Sequence, residues 1–571
     1  MDRIWTEQYD RGVPSTLSYP DMSVPDLLTD AAARWPERPA LRFYGRTIRY
    51  RQLDGLVNRF AQALIRADVQ PGEVVGLMLP NLPQTVMGYY GSLRAGAVVT
   101  PINPLYVEHE IEYQIIDSGC ETILALNQFY PRIKPLLGRT CLKRVILTSV
   151  KDYLPWLKRL LYPIKAGKER RSEGHPIPGS AVFSLGSFMD EPAQRPAVMV
   201  RAHDVALLQY TGGTTGTPKG VVLTHHNLVC NTWQCRNWMT DLRQGQEVFL
   251  GVLPFFHVYG MSACQNLAVG VAGTLVLLPR FQVTEVLGTI ARERITVFPG
   301  IPAMYAAISG QQHVTRYDLR SIRLCISGAG PLPQSVQDRF ESLTGARLVE
   351  GYGLTEAGPV THVNPLKTPP GQRRRGSIGL PLPDTEAKIV DAETGRREVR
   401  VGEVGELVVR GPQVMRGYWR RDTETQQVLK AGWLLTGDLA RMDPTGFFTI
   451  EGRKKEMIKA GGENVYPREV EEVLLRHPQV EDAVVVGIPQ DLRGELLKAY
   501  VVLKPGEAAT AADILAHCRK DLAKFKVPKQ IEFRPSLPKT LVGKVLRRLL
   551  VDEEVQKRRA SKPEAKEDTD P

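Results

Sequence analysis

Amphipathic helical stretches alternate with short, wholly apolar runs from residue 23 to past residue 350, and nothing else in the chain limits its fold so tightly. The segments 23–35 (SVPDLLTDAAARW) and 50–67 (YRQLDGLVNRFAQALIRA) carry apolar residues at helical spacing. The runs VVGLMLP, AVVTPIN and TILAL read as strands buried on both faces, and the pattern recurs in TLVLLP, ITVFPGIP and SIRLCISGAGPLP. Strands separated by helices pair parallel, so this stretch is expected to form a large α/β body. At 571 residues the chain exceeds what one core serves, and more than one domain is expected.

After residue 376 the texture changes. GSIGLPLPDTEAKIV and VGEVGELVVRGP are β-rich with turn residues, as in a small sheet appended to the body. A βαβ-like region follows GRKKEMIKAGGENV and runs to about residue 550, and the charged stretch 556–571 is expected to be a disordered tail. Hydrophobic residues at 43% and charged residues at 24% suit a globular enzyme rather than a disordered or membrane-embedded chain.

The net charge of +12 favours polyanionic partners such as nucleotides, coenzyme A phosphates or anionic lipid. No RNP-like, zinc-finger or basic-zipper pattern accompanies it, so nucleic acid is not expected. Seven dispersed cysteines form no CxxC pair, and there is no HExxH cluster. Buried thiols in a reducing compartment are expected, with no nucleophilic cysteine. The N-terminal residues are charged from position 2 and lack an apolar signal core. Residues 248–279 lack Asp, Glu, Lys and Arg, but Pro254, His257, Gln265, Asn266 and a GVAGT turn interrupt them. They read as a buried helix followed by a strand, not as a membrane span.

Tyr210 to Gly220 reads YTGGTTGTPKG, with four glycines, four threonines and Lys219. Glycines let backbone N–H groups close on an anion, threonine hydroxyls add donors, and Lys219 adds a mobile positive charge. Pro218 and Gly220 flank the lysine, so this is not the Walker spacing. Apolar runs on both sides predict a strand–loop–strand or strand–loop–helix setting. EGYGLTEAGP (350–359) brings Glu356 into a glycine-rich turn, where a carboxylate beside a polyphosphate calls for a bridging magnesium. TGD (436–438) sets Asp438 to accept from ribose hydroxyls. GRKKEMIKAGGENVYP (452–467) is a basic turn before a Gly-Gly loop, and LPKTLVGKVLRR (537–548) carries Lys544 behind a glycine.

Together and in this order, these motifs resemble the adenylate-forming superfamily of acyl- and aryl-CoA synthetases, luciferases and adenylation domains. The resemblance runs from about residue 20 to about 550 and is similar in look to bacterial long-chain fatty-acid–CoA ligases. It implies an N-terminal domain (1–452) of two α/β subdomains plus a small β-rich one. A hinge (453–455), a mobile α+β C-terminal domain (456–555) and the tail (556–571) follow. It further implies that ATP, Mg2+ and coenzyme A take part: a carboxylic acid forms an acyl-adenylate with release of pyrophosphate, and the adenylate then passes to the thiol.

By the same resemblance Lys544 matches the catalytic lysine, and Thr355 meets the α-phosphate. Thr211, Gly212, Gly213, Thr214, Thr215 and Lys219 cradle the β- and γ-phosphates, and Thr211 and Glu356 hold magnesium. Ser327, Gly328, Ala329, Gly351 and Tyr352 wall the adenine, and Asp438 and Arg453 bind the ribose. Lys455 matches the hinge, while Lys459, Gly461 and Gly462 line the thioester-forming face. His257, in LPFFHVYGM, matches the gate between the acyl pocket and the coenzyme A tunnel.

PFFHVYG lacks the aspartate with which amino-acid-activating relatives hold an α-ammonium, so an uncharged organic tail is expected. Medium-chain and aryl acids stay open beside long-chain fatty acids. So does an acyl-AMP ligase that loads a separate carrier protein, although the lack of a DSL-type carrier motif after residue 550 weakens that alternative. The segment 152–178 mixes Leu, Trp and Tyr with Lys158, Arg159, Lys165, Lys168, Arg170 and Arg171, a composition suited to an interfacial helix on anionic lipid or to a solvated surface helix. The expected location is cytoplasmic, with peripheral contact at the inner membrane face through 152–171. Oligomeric state is not legible in the sequence.

Overall fold

A computed structural model describes residues 3–165, 181–211, 217–369, 374, 376–460, 463–490, 494–539 and 545–561. Two large sheets, of eight and nine strands among the described residues, carry the N-terminal body. The eight-stranded sheet is parallel from Val182–Ser184 through Arg144–Thr148, Cys120–Leu126, Val74–Met78 and Val98–Pro101 to Val205–Thr211. Lys219–Thr224 then adds antiparallel, followed by Gly417–Tyr418. The nine-stranded sheet is parallel from Pro39–Phe43 to Arg347–Gly353, with antiparallel strands at both rims. The alternation in the sequence thus appears as two doubly covered sheets.

Every residue of the helix Pro83–Arg94 is buried, which is why its apolar pattern runs around its whole circumference. Arg94, at its end, is only 2% exposed. Its guanidinium donates to Asp54 Oδ1 and Asn58 Oδ1 at 2.7 Å and to Thr29 Oγ1 at 2.9 Å. One buried cation therefore ties the helix Pro83–Arg94 to the helices Val24–Arg34 and Tyr50–Arg66.

The β-rich unit pairs Glu386–Val390, Gly405–Arg410 and Trp433–Met442, with Phe448–Arg453 against the last of these. From Arg453 the chain passes through one 3-10 turn, Lys454–Glu456, into Ile458–Ala460, a strand of the C-terminal sheet. That turn overlaps the segment read as a hinge. The helices Pro467–Leu475 and Ala511–Asp521 contact each other, and their buried residues share a core with Val485, Leu497 and Ala499 of that sheet, giving the expected α+β unit.

Two sequence readings need correction. The uncharged stretch 248–279 begins with a strand, Val248–Gly251, and its helix opens as a π-helical segment, Tyr259–Asn266, before Thr274–Leu277. The supposed tail from Gln556 is helical as far as Ser561, because Arg547–Ser561 is one helix. Lys557 pairs with Glu554 at 2.9 Å, and Glu554 with Lys498 of the C-terminal sheet, so ion pairs rather than apolar spacing hold this end. No described helix is long and apolar enough to cross a membrane.

Replacing Arg94 by Met should leave Asp54 without its buried counter-charge and cost about 3 kcal/mol of stability. A denaturant midpoint within error of wild type would contradict that role.

Candidate active site

The phosphate-loop motif folds as a strand–loop–strand. Val205–Thr211 and Lys219–Thr224 run antiparallel with Thr211 opposite Lys219, so the loop between them is closed at its base. Gly212, Gly213, Thr214 and Thr215 lie outside the described residues. The base is pinned from several elements. Tyr210 Oη donates to Asp117 Oδ2 at 2.6 Å, and Arg421 meets Asp117 Oδ1 at 3.1 Å. Tyr113 Oη donates to the Pro218 carbonyl at 2.7 Å, and the Trp419 amide to that of Gly220 at 2.7 Å. A Cβ on Gly220 would stand 3.2 Å from the Tyr210 ring and 3.3 Å from Trp419 Cβ, so the crossing is tight and favours a residue without a side chain.

Thr355 and Glu356 sit on the 3-10 turn Thr355–Ala357 that follows the strand Arg347–Gly353. At Gly353 a Cβ would lie 2.2 Å from the carbonyl oxygen of Pro359, which folds the turn back on its own strand. Tyr418 joins this turn to the phosphate loop. Its hydroxyl donates to Glu356 Oε1 at 2.8 Å, while Lys219 Nζ lies 5.2 Å from its ring centre. Burial and the adjacent Glu356 carboxylate push the Tyr418 phenol far up, so it stays a donor. Thr211 and Glu356 are hard oxygen donors, and no cluster of three or more His, Cys, Asp or Glu side chains occurs among the described residues. That donor set fits magnesium, which takes one or two protein oxygens and completes its shell with phosphates and water.

Tyr352, Asp438 and Arg453 form a second group. Tyr352 Oη donates to Asp438 Oδ2 at 2.5 Å, and Arg453 Nε lies 2.8 Å from Asp438 Oδ1. Asp438 and Arg453 are cross-strand partners in the β-rich sheet, whereas Tyr352 comes from the nine-stranded sheet. Both oxygens of the buried carboxylate are thus oriented by donors. Nearby in the nine-stranded sheet, Ser327 stands between Gly300 and Glu350. Its hydroxyl is buried without a partner among the described residues, and Ala329 follows in the left-handed region at φ +66°. Gly351 pairs with Val363.

His257 is half-buried, with its ring 4.7 Å from that of Phe256. Burial pushes it down to about 4, so it is a neutral imidazole at physiological pH. Lys455 and Lys459 are exposed, and the Lys459 amide donates to Glu495. Lys544, Gly461 and Gly462 lie outside the described residues. Arg547, in the same turn of sequence as Lys544, is clamped by Glu456 and Glu471 at 2.8 Å each. Six of the seven thiols are buried, and burial pushes Cys120 up to about 12, in keeping with the expected inert cysteines.

Tyr418, Asp117, Glu406 and Arg547 escaped the sequence reading. Glu406 accepts from the Gly437 amide at 3.1 Å and pairs with Lys454 Nζ at 2.8 Å, linking the TGD turn to the junction with the C-terminal domain. Glu350 is a further addition. It is pushed up to about 7 by burial, against the pull of Arg468 from the C-terminal helix Pro467–Leu475. The folded protein holds this proton more tightly than the unfolded chain, which releases it near 4.5. The native state therefore loses stability as pH rises from about 4.5 to about 7, by up to about 3 kcal/mol. Glu350→Gln should flatten this part of a stability-against-pH profile. Parallel wild-type and variant profiles would contradict the assignment.

The AMP-binding enzyme family matches residues 28–419, and the AMP-binding enzyme C-terminal domain matches residues 469–544. A long-chain-fatty-acid–CoA ligase of Bacillus subtilis is 44% identical over 555 residues, covering 97% of this chain and 98% of its own. One from Yersinia pestis is 37% identical over 564 residues, covering 97% and 99%. The ATP-bound crystal structure of MatB from Rhodopseudomonas palustris superposes with a TM-score of 0.81 at 28% identity, over 93% of this chain and 99% of that one. A two-sheet body, a β-rich sheet that completes its site, a small C-terminal domain and matches along nearly the whole length lead to one conclusion: this chain belongs to the AMP-binding enzyme family.

Proposed function

We propose that the protein is an ATP-dependent long-chain fatty-acid–CoA ligase. The observation that carries this reading is the 44% identity, along 97% of the chain, to a ligase of that name. The wall around His257 supports an apolar acid, since Phe255, Phe256, Val258 and Met261 are all buried and none is charged.

In the first step a fatty-acid carboxylate oxygen attacks the α-phosphorus of ATP, and the bond to pyrophosphate breaks. Two anions must approach, so fixed positive charge is needed where the transition state forms. Lys544 supplies it, bridging carboxylate and α-phosphate, with Thr355 beside it. Thr211, the glycines and threonines of the loop and Lys219 hold the outer phosphates. Tyr418 keeps Glu356 oriented toward them. Thr211 and Glu356 would hold a magnesium ion, which would supply charge compensation for the phosphates. Tyr352 and the backbone of Ser327 to Ala329 flank the base, and Asp438 with Arg453 accepts and donates at the ribose.

In the second step the coenzyme A thiol loses its proton and attacks the acyl carbonyl, and AMP leaves. No enzyme nucleophile is required, in agreement with the inert cysteines. Neutral His257 can swing aside without holding an anionic group in the tunnel. Rotation at Lys455 withdraws Lys544 and presents Lys459, Gly461 and Gly462. The helix Trp156–Lys165 exposes Trp156 (69%), Leu157 (55%) and Leu160 (67%), and this face rests on an anionic membrane surface from which fatty acids are drawn.

A panel of acids from acetate to oleate, with benzoate and coumarate, should give a maximum at long chains with one thioester per pyrophosphate. Pyrophosphate with retained adenylate and no thioester would point instead to a carrier-loading ligase. Lys544→Ala should slow adenylation roughly a hundred- to thousandfold while pre-made acyl-adenylate is still converted to thioester. Lys455→Pro should impair the second step more than the first. Equal losses in both steps for either variant would remove the domain rotation from the scheme.

A further inference from the structure

A cleft of about 500 Å3 opens at the opposite end of the eight-stranded sheet from the phosphate loop. Four strand spacings separate Arg144–Thr148, whose end forms its floor, from Val205–Thr211, or about 20 Å across the sheet. The cleft lies beyond the carboxyl ends of parallel strands, where open α/β sheets receive ligands. Arg46, Arg59, Lys151 and Arg159 line it. These come from four elements: the strand Arg46–Arg49, the helix Tyr50–Arg66, the turn Val150–Tyr153 and the helix Trp156–Lys165.

None of the four cations makes an ion pair among the described residues, and this is not the habit of their neighbours. On the same strand and helix, Arg49 and Arg51 pair with Glu37, and Arg66 pairs with Glu191. Arg46 instead lies over the Tyr153 ring at 5.2 Å. The one carboxylate of the lining, Asp152, is engaged on one oxygen by its own turn. Its Oδ2 accepts from Thr148 Oγ1 at 3.0 Å and from the Ser149 amide at 2.9 Å. Unneutralised guanidinium groups converging on a cleft call for an anion with several acceptor oxygens.

Two more features narrow the ligand. Asn127 also lines the cleft, and its buried Oδ1 has no donor among the described residues, an acceptor that a small turn of the side chain would offer to a ligand hydroxyl. Leu56 and Met189 give the cleft an apolar wall, and Arg159 borders the exposed stripe of Trp156, Leu157 and Leu160 on one helix. Phosphate, hydroxyl and hydrocarbon are thereby matched side by side.

We propose that this cleft binds the phosphoglycerol headgroup of an anionic phospholipid, fixing the protein on the membrane in one orientation. The proposal rests on the membrane-contact reading of the helix Trp156–Lys165, and its test separates the two. Full-length protein is sedimented with phosphatidylcholine vesicles, with or without phosphatidylglycerol. Arg46→Gln/Arg59→Gln should weaken binding to the phosphatidylglycerol vesicles about thirtyfold while sparing the weak binding to neutral ones. Trp156→Ala/Leu160→Ala should weaken both. The control Arg292→Gln/Arg320→Gln, with its cations on the nine-stranded half, should bind as wild type.

Dihexanoyl-phosphatidylglycerol should compete with the vesicles, and dihexanoyl-phosphatidylcholine should not. Equal loss in the two arginine pairs would mean diffuse attraction and overturn the cleft. Loss only in the Trp156/Leu160 variant would leave the membrane contact standing and the cleft refuted. Competition by inorganic phosphate as strong as by the short-chain lipid would make it a free-phosphate site and overturn the lipid. Absence of wild-type binding to any vesicle would overturn both readings.

Discussion

Sheets of parallel strands cannot leave either face in water, and this constraint organises the rest of the molecule. Parallel pairing requires crossovers, and the crossovers become the helices that cover both faces. With two such sheets in one body, the helices between them have no solvent side. The helix Pro83–Arg94 is the extreme case, and a cation is admitted at its end only because Asp54, Asn58 and Thr29 meet it. Parallel strands also finish on the same side, so loops from distant parts of the sequence gather at one rim. Ser327 and the Tyr352 strand come side by side in the nine-stranded sheet through that geometry.

The α/β alternation was legible because strands buried on both faces and helices of fixed length leave periodic traces. The π-helical turn Tyr259–Asn266 leaves none: Gly260 to Asn266 are all buried, Ser262, Gln265 and Asn266 among them, and a wider helix changes hydrogen bonding without changing composition. The helical stretch 556–561 was read as disordered for a related reason. Its order comes from Lys557, Glu554 and Lys498, and a charge run looks the same whether its partners are folded beneath it or not.

The site divides along the same line. Asp438, Arg453, Tyr352, Glu356 and Lys219 stand inside short motifs and could be named from the sequence. What positions them could not. Tyr418 reaches Glu356 because Gly417–Tyr418 pairs with Lys219–Thr224, a register set by two segments far apart in the chain. Glu406 touches both the TGD turn and Lys454 for a similar reason, since its strand pairs with Trp433–Met442. Short motifs hold the candidate site groups, whereas their supports are distributed by topology.

The two glycines of the site differ in what change they leave open to descendants of this chain. Gly220 is crowded by side-chain atoms, the Tyr210 ring and Trp419 Cβ, so a larger residue there is reachable in company with a smaller one at position 210. Gly353 is crowded by the main chain of Pro359, which every amino acid shares. No second substitution can make room for the first. The phosphate loop can therefore drift by paired replacement over evolutionary time, while the turn that carries Glu356 is frozen at one position by its own backbone.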